Sequence, residues 1–369
     1  MSTNQTWRER FRHYHEQHER KLEAIFFCAG FIFDIIATAE GVDHMLMIVQ
    51  QIIYLFLIGV ILYVDTLREA YPTDHFSPRL ERLWSYRGLL LHFCLGTLMN
   101  IYSIFFLMSA SFFSSIVFVL LLFAALILNE MKAVRARGVD VKVALYVICL
   151  FCFFSLMMPL AFGRVGLLPF FCSFLATLAV VFLFFKRLRK RMGPEGLRRK
   201  ILVPGLSVCV IFLGLYLAGL IPPVPLSAKK LGVYHAIEKE GDDYVLHHER
   251  PWWKFWQRGD QNFVARPGDR IYFFAAISSP ARFADTVYVH WYFHDARHGW
   301  NPTDRIPLRI SGGRKEGFRG FTTKQNFDYG DGSWRVSVET EDEREIGRMY
   351  FDVTKAESDP NRVFQAERY

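Results

Sequence analysis

The C-terminal part of the chain has no cysteine. All six cysteines fall in apolar stretches of the earlier sequence: Cys28, Cys94, Cys149, Cys152, Cys172 and Cys209. The region that follows must therefore be stabilised by its own core and not by disulfides. Cys149 and Cys152 have the spacing of a redox pair, but they stand among Leu, Phe and Val, where a thiol usually serves as a small apolar side chain.

The chain also lacks the motifs that mark common enzymes. It contains no nucleophile elbow, phosphate-binding loop, HExxH sequence, EF-hand loop or dinucleotide fingerprint. His290, His294 and His298 do not suggest a metal site, because side chains four residues apart on a strand are separated by ~13 Å, and bonds to one ion measure ~2.1 Å. We therefore expect no enzyme activity, no metal and no cofactor.

Charged residues are unevenly distributed. The formal net charge of the chain is +8, yet Lys and Arg balance Asp and Glu from Lys229 onward. The basic surplus therefore belongs to the earlier part, where apolar residues form runs of spanning length; none follows Leu226. This pattern indicates basic residues retained on the inner side of a membrane, and it argues against a nucleic-acid-binding surface.

Seven segments have about the 20 apolar residues that cross ~30 Å of hydrocarbon. They are residues 22–39, 45–64, 88–108, 112–128, 143–162, 167–185 and 201–221. The loops after the second, fourth and sixth segments are basic, whereas the loops after the first, third and fifth contain no Lys or Arg except Arg164. The positive-inside rule then predicts a multi-pass bacterial inner-membrane protein, with seven transmembrane helices over 22–226, a cytoplasmic N-terminus and a periplasmic C-terminal domain.

The two flanking regions have different patterns. In residues 1–21, aromatic residues recur at helical spacing among basic ones, which predicts a cytoplasmic amphipathic helix on the membrane surface or a solvated lead-in helix. In residues 227–369 the period changes to two, with turn residues between the runs. About seven or eight short strands predict an all-β, immunoglobulin-like sandwich. The strands lie near residues 232–238, 244–248, 270–277, 286–294, 305–311, 317–323, 333–340 and 347–354.

Several short motifs in this region are similar to those of a known family. They are His290-Trp291-Tyr292, Gly312-Gly313-Arg314, Phe321-Thr-Thr-Lys324, Gly332-Ser-Trp334-Arg-Val336 and Tyr350-Phe351-Asp-Val353. The stretch from Val287 to Thr354 resembles a bacterial domain-of-unknown-function family, number 2914, whose domains end integral membrane proteins. The resemblance implies an extracytoplasmic module on a membrane anchor. It implies no catalytic residues, because none is established for the family.

One acidic residue stands inside an apolar segment. Asp34 lies in the first predicted span, where an ionisable group costs ~2.5–3.5 kcal/mol on insertion and usually faces the protein interior. Gln50 and Gln51 occur at a similar depth on the next span, and Asn100 and Arg164 are further possible partners of this intramembrane polar cluster. The cluster predicts either a proton- or ion-handling site or hydrogen bonds that join the helices.

Two groups of residues in the C-terminal region are candidate contact surfaces. Trp252, Trp253, Phe255 and Trp256 form an aromatic cluster that could pack within the sandwich or against the outer loops, enter a membrane interface or stack on sugar rings. The second group shares one face of a predicted strand, which makes it a candidate docking surface for a partner. Its members are Tyr288, His290, Tyr292 and His294.

These patterns favour a non-catalytic inner-membrane protein. Its periplasmic sandwich is expected to bind or scaffold another envelope protein or polymer, while the helices contact the lipid bilayer. The alternative is a transporter or lipid-handling protein that uses the polar site around Asp34. A seven-helix sensor is a third hypothesis, and it would require a separate partner on the basic inner loops.

Overall fold

A computed structural model describes most of the chain. It covers residues 42–71, 81, 84, 86–111, 113–131, 138–313, 317–325, 331–356 and 362–369. The predicted amphipathic helix at 1–21 and the first predicted span at 22–39, with Asp34, lie outside these residues.

The first half of the described chain is helical. The helices are α1 Met45–Ala70, α2 Arg87–Ser109, α3 Ile116–Glu130, α4 Val139–Phe162, α5 Leu167–Arg189, α6 Pro194–Leu197 and α7 Val203–Leu217, with a π-helical turn at Arg198–Leu202. Five stretches are long and apolar enough to cross a membrane: α1, α2, α4, α5 and Arg198–Leu217. This part of the chain is therefore that of a membrane protein.

The fourth predicted span is shorter than expected. Helix α3 has 15 residues, fewer than the ~20 that a membrane crossing requires. A turn occupies residues 113–115, so the helix begins only at Ile116 and not near the start of the predicted segment 112–128. Seven spans therefore remain a prediction, of which the described residues provide five.

Helices α2 and α4 form the centre of the bundle and are the most enclosed of the spanning helices. Phe212 of α7 joins three helices, because its ring centre lies 4.3 Å from that of Phe151 on α4 and 5.5 Å from that of Phe118 on α3. Helix α7 also approaches α5 closely at Gly205, where a Cβ atom would lie 2.8 Å from Val181 Cγ1. Apolar side chains thus hold the bundle together by close packing.

The second half of the described chain is all β. The strands are β1 Ser227–Tyr234, β2 Ala236–Glu240, β3 Asp243–His248, β4 Asn262–Ala265, β5 Ile271–Ser278, β6 Ala284–Asp295, β7 Gly299–Ser311, β8 Phe318–Lys324, β9 Gly332–Glu339, β10 Glu345–Lys355 and β11 Gln365–Arg368. They form three sheets, in the orders β1-β5-β8, β4-β10-β9-β6-β7 and β11-β3-β2. The single strand predicted at 232–238 is wrong, because the chain breaks near His235 into β1 and β2, and β4 and β11 were not predicted.

The three sheets are stacked with β5 in the middle layer. Phe273, Ala275 and Ile277 belong to the core shared with the five-stranded sheet. Phe274 and Ala276 face the other way, into the core shared with the third sheet. A sandwich of two sheets therefore carries an additional sheet, which the prediction did not include. The run of apolar residues in β5 is typical of a strand buried on both faces.

The segment between the two halves is buried. Ile221 and Val224 pack in the core of the helix bundle, whereas Leu226 packs in the core of the sandwich and is fully buried. A backbone hydrogen bond also crosses the boundary, since Ala284 N–H donates to the Gly163 carbonyl oxygen at 3.1 Å. The β domain is therefore seated on the bundle.

The strands have a junction end and a far end. Strand β1 begins at the junction with Ser227, which pairs with Ser278 of β5, and ends with Tyr234, which pairs with Tyr272. At ~3.3 Å per residue, the far end of β1 lies about 23 Å from its start. Strand β6 runs the same way, because Ala284 contacts the loop after α4.

Candidate functional site

A group of polar and aromatic side chains lies on one side of the five-stranded sheet. Along β6, Val287, Val289 and Trp291 are fully buried, and the residues between them point to the opposite side. We call this side the outer face. It comprises Tyr288, His290, Tyr292, His294, Trp300, Arg305, Arg335, Ser337, Glu339, Arg348 and Tyr350.

Arginines cover the aromatic rings of the outer face. The Arg305 guanidinium lies 3.9 Å from the ring centre of Tyr288, in the range of a cation–π contact. Arg335 lies 3.9 Å from the ring centre of Tyr292 and 5.2 Å from that of Trp300. In the part of the chain that the structure describes, no carboxylate forms an ion pair with Arg305 or Arg335. The outer face therefore presents unneutralised guanidinium groups.

A histidine–carboxylate pair lies beside these arginines. His290 Nδ1 is 2.9 Å from Glu339 Oε2, and Ser337 Oγ donates a hydrogen bond to Glu339. Partial burial raises the pKa of Tyr292, and the Glu339 carboxylate adds to this effect, whereas the Arg335 guanidinium opposes it. Within the described ranges, the buried Nε2 atom of His290 has no hydrogen-bond partner. Arginine, tyrosine and tryptophan are the residues that most often dominate binding interfaces.

The predicted docking residues thus share a surface, and their strand neighbours extend it. Tyr288, His290 and Tyr292 are half-buried, whereas His294 is exposed and packs against Trp300 with ring centres 4.9 Å apart. The sequence analysis did not predict Arg305 and Arg335 as part of this surface. They lie on β7 and β9, and the pairing of those strands with β6 cannot be derived from a local sequence pattern. The outer face has the arginine, tyrosine and tryptophan side chains of a binding surface. The described residues contain no group of three His, Cys, Asp or Glu that could hold a metal.

The structure describes four of the five residues of the predicted intramembrane polar cluster. Gln51 is fully buried in α1, and neither of its amide atoms has a hydrogen-bond partner in the described part of the chain. Gln50 is half-buried and Asn100 is buried in α2. Arg164 is exposed in the loop after α4, where it faces Asp285 of the β domain. Asp34 lies outside the described residues.

The aromatic cluster is exposed. The exposed fractions are 82% for Trp252, 50% for Trp253, 81% for Phe255 and 61% for Trp256. Packing within the sandwich is therefore excluded for this segment. The cluster also lies at the far end of the domain, because Asp260 N–H donates to the Val233 carbonyl oxygen of β1 at 2.7 Å.

Sequence reasoning missed a polar contact at the junction. The Tyr216 hydroxyl of α7 donates to Asp342 Oδ2 at 2.8 Å, and the Arg344 guanidinium lies 3.8 Å from the Tyr216 ring centre. The Tyr216 ring stacks on Phe170 of α5 at 3.4 Å. A small cavity of about 40 Å³ adjoins these residues and is also lined by Ser155. The turn between β9 and β10 is thus attached to the bundle, and we call this contact the junction latch.

Partial burial also affects Asp285 at the junction. Its carboxylate accepts the Val165 N–H at 3.0 Å. Burial raises the pKa of Asp285, and the hydrogen bonds from the Val165 and Thr286 N–H groups oppose the rise. The carboxylate fixes the loop between α4 and α5 to the start of β6.

The fold and these contacts define a class: a helical membrane protein with a C-terminal all-β domain seated on the bundle. Within that class, residues 284–353 match the family described as Protein of unknown function (DUF2914). The match includes β6, β7, β9 and β10, which form the outer face. The module expected from the sequence motifs is therefore confirmed.

Similarity to known proteins is low. No curated protein sequence matches the chain. An immunoglobulin-like protein from Pseudomonas aeruginosa is 10% identical, and the match covers 35% of this chain and 95% of that protein, with a TM-score of 0.21. A β-glucosidase from Listeria innocua is 14% identical over 25% of this chain and 15% of the enzyme, with a TM-score of 0.18.

A third solved structure matches over a greater length. An alkylpurine DNA glycosylase from Pseudomonas fluorescens is 10% identical over 83% of this chain and 97% of that enzyme, with a TM-score of 0.22. TM-scores of this size carry no argument about fold or function.

Proposed function

We propose that this protein is a non-catalytic component of the bacterial inner membrane whose periplasmic β domain binds another envelope protein or polymer. The observation that supports this proposal is the outer face, with its guanidinium groups over tyrosine and tryptophan rings. Arginines held in this way are pre-organised for carboxylate or phosphate groups. The partner is therefore expected to be acidic where it meets Arg305 and Arg335.

The seating of the β domain supports a scaffolding role. A buried connection at Leu226 and the junction latch fix the direction in which the outer face points. A face held in one orientation loses less entropy on binding than a domain on a flexible tether. The helices would thus serve as an anchor that presents the face at a defined height above the membrane.

Site-specific photo-crosslinking in intact cells tests the proposal. A photoreactive phenylalanine analogue at Tyr288 or His294 should crosslink a discrete partner. The same analogue at Phe321 should not, because Phe321 is exposed on β8, outside the outer face. Sensitivity of the product to protease or to muramidase would show whether the partner is protein or peptidoglycan.

The matched variants are Arg305→Met and Arg335→Met. Loss of both should reduce the crosslinked product roughly tenfold or more, because central arginines are frequent hot spots. Equal crosslinking from Phe321, or a yield that both substitutions leave unchanged, would contradict the proposed binding face.

A transporter or lipid-handling protein is the second candidate. Gln51 favours it, because its amide is fully buried and has no hydrogen-bond partner among the described residues. Such a group destabilises the fold, and buried polar groups within spanning helices often mark functional sites. In reconstituted vesicles, Gln51→Leu and Asp34→Asn should each abolish proton-coupled flux. If no flux occurs with the natural protein, or if Gln51→Leu only stabilises it, this candidate fails.

A further inference from the structure

The segment between β3 and β4 combines aromatic and basic residues in a way that the outer face does not use. From Arg250 to Arg258 it contains four large aromatic residues, three basic residues and no acidic residue. The aromatic side chains are between 50% and 82% exposed. Monomeric soluble proteins rarely expose apolar groups so closely clustered unless they bind something. We call this segment the aromatic knob.

The aromatic knob is a formed structure. Lys254 N–H donates to the Pro251 carbonyl oxygen at 3.0 Å, and Gln257 N–H donates to the Lys254 carbonyl oxygen at 3.0 Å. The Arg250 side chain closes the segment by donating to the Gln257 carbonyl oxygen. These bonds form two successive turns that hold the rings outward. Exposure is thus a property of the folded segment and not of a loosely attached loop.

The aromatic rings stabilise one another at their edges. Trp253 and Trp256 meet edge to face at 5.8 Å, and Phe255 and Trp256 meet at 5.3 Å. The Lys254 ammonium lies 5.3 Å from the Trp253 ring centre. The two most exposed side chains, Trp252 and Phe255, remain available to a partner.

The composition of the knob indicates the chemistry of that partner. Tryptophan favours the headgroup layer of a bilayer, where its apolar ring and its N–H group are both accommodated. Lys254 and exposed Arg258 supply positive charge beside the rings, which matches the negative charge of anionic lipids. The nearby acidic groups are already engaged, since Asp260 pairs with His235 at 2.8 Å and Glu249 pairs with Arg362 at 3.1 Å.

The position of the knob decides which bilayer it can reach. Gly259 bridges to Val233, six residues along β1 from Ser227 at the junction, so the knob lies about 20 Å along the strands from the bundle. The ends of β1, β5, β6 and β9 that touch the bundle are all at the opposite end of the domain. The knob therefore lies at the end of the domain that points away from the membrane that holds the helices.

We infer that the aromatic knob binds the surface of a second, anionic lipid bilayer, facing the membrane in which the helices are embedded. The protein would then bridge two membranes, with the helices in one and the knob in the headgroup layer of the other. This inference does not depend on the partner of the outer face.

Vesicle capture by the full-length protein in nanodiscs tests this inference. The nanodisc supplies one bilayer, and added vesicles supply the second. Flotation should carry the nanodiscs upward with phosphatidylglycerol-rich vesicles and much less with vesicles of phosphatidylcholine alone. The double variant Trp252→Ala, Phe255→Ala should reduce capture roughly tenfold or more, because two inserted rings supply most of the buried apolar area.

A charge variant separates the electrostatic contribution. Arg258→Glu should reduce capture roughly fivefold or more, since each basic residue near an anionic surface contributes about that factor. Arg282→Glu is the matched control, because Arg282 is also exposed but lies in the β5–β6 loop at the junction end of the domain. This control should leave capture nearly unchanged.

Quenching reports which bilayer the knob enters. Brominated lipid placed only in the added vesicles should quench tryptophan fluorescence, and the quenched fraction should disappear in a variant with phenylalanine at positions 252, 253 and 256. Quenching by brominated lipid in the nanodisc alone would overturn the inference, because the knob would then contact its own membrane. Absence of vesicle capture, or knob-dependent binding to glycan in its place, would overturn it as well.

Discussion

At the scale of single residues, the clearest constraint is Gly259, which attaches the aromatic knob to β1. Its φ of +71° lies in the left-handed region, and a Cβ atom there would be 2.1 Å from the Val233 carbonyl oxygen. Both the backbone conformation and the space therefore require glycine. The next residue, Asp260, is buried and pairs with His235, so the constraint extends to the third sheet.

We predict that Gly259→Ala destabilises the β domain more than Gly268→Ala. Both glycines have positive φ, but a Cβ atom at Gly268 would meet nothing within 4 Å. Gly268→Ala should cost about 1–2 kcal/mol for the left-handed conformation alone. Gly259→Ala should cost a further ~1–3 kcal/mol for the steric overlap.

Thermal unfolding of the full-length protein in detergent, followed by tryptophan fluorescence, measures the difference. Equal midpoints for the two variants would show that the close approach to Val233 does not constrain the fold.

At the scale of elements, the turn between β9 and β10 decides how the two halves are held. Glu343 adopts a φ of 61°, which is uncommon for a residue other than glycine. In the same turn, Thr340 Oγ1 donates to Asp342 Oδ1 at 2.6 Å, and Asp342 Oδ2 accepts a hydrogen bond from the Tyr216 hydroxyl. The turn thus accepts a strained backbone at the position where the β domain meets α7.

We predict that Asp342→Ala loosens the β domain from the bundle. The substitution removes the acceptor of the Tyr216 hydroxyl and the carboxylate nearest the Arg344 guanidinium, which lies 3.6 Å away and is largely buried. Loss of such a buried charged hydrogen bond costs ~1–3 kcal/mol. Local opening, and with it proteolysis at residues 221–226, should become roughly five- to a hundredfold faster.

Glu341→Ala provides the control, because Glu341 is an exposed acidic residue in the same turn. It should leave the cleavage rate nearly unchanged. If the two variants are cleaved equally fast, the junction latch does not hold the domain.

At the scale of the whole molecule, the two ends of the helix bundle differ: ion pairs of Lys and Arg lie at one end, and the β domain contacts the other. Arg87 pairs with Asp65 at 2.6 Å, and Lys200 pairs with Glu69, so these contacts join the ends of α1, α2 and the stretch before α7. The β domain contacts the other end of the helices, near Gly163 and Tyr216. This separation supports the proposed orientation, since Lys and Arg concentrate on the cytoplasmic side.

We predict that a protease added to intact spheroplasts removes the C-terminal domain and spares a tag at the N-terminus. Membrane-impermeant labelling of a cysteine introduced at Arg297, in comparison with one introduced at Arg189, gives an independent measurement. A protected C-terminal domain together with a cleaved N-terminal tag would reverse the proposed orientation.

Periodic patterns predicted the parts of the structure that depend on neighbouring residues. Apolar runs located the five spanning stretches of the described chain, and alternation along β6 placed Tyr288, His290 and Tyr292 on one face. The outer-face arginines could not be predicted in the same way. Arg305 and Arg335 reach the tyrosines through the pairing of β7 and β9 with β6, and that register depends on contacts between distant residues.

The sequence by itself determined that the chain has apolar helices of spanning length followed by a cysteine-free β domain, because hydrophobicity and alternation are properties of short segments. Only the tertiary structure decided that Asp342 meets Tyr216, that β5 is buried on both faces, and that the tryptophans are exposed at the far end. Those outcomes depend on which segments pack together, and packing is decided by the shape and pairing of the whole chain.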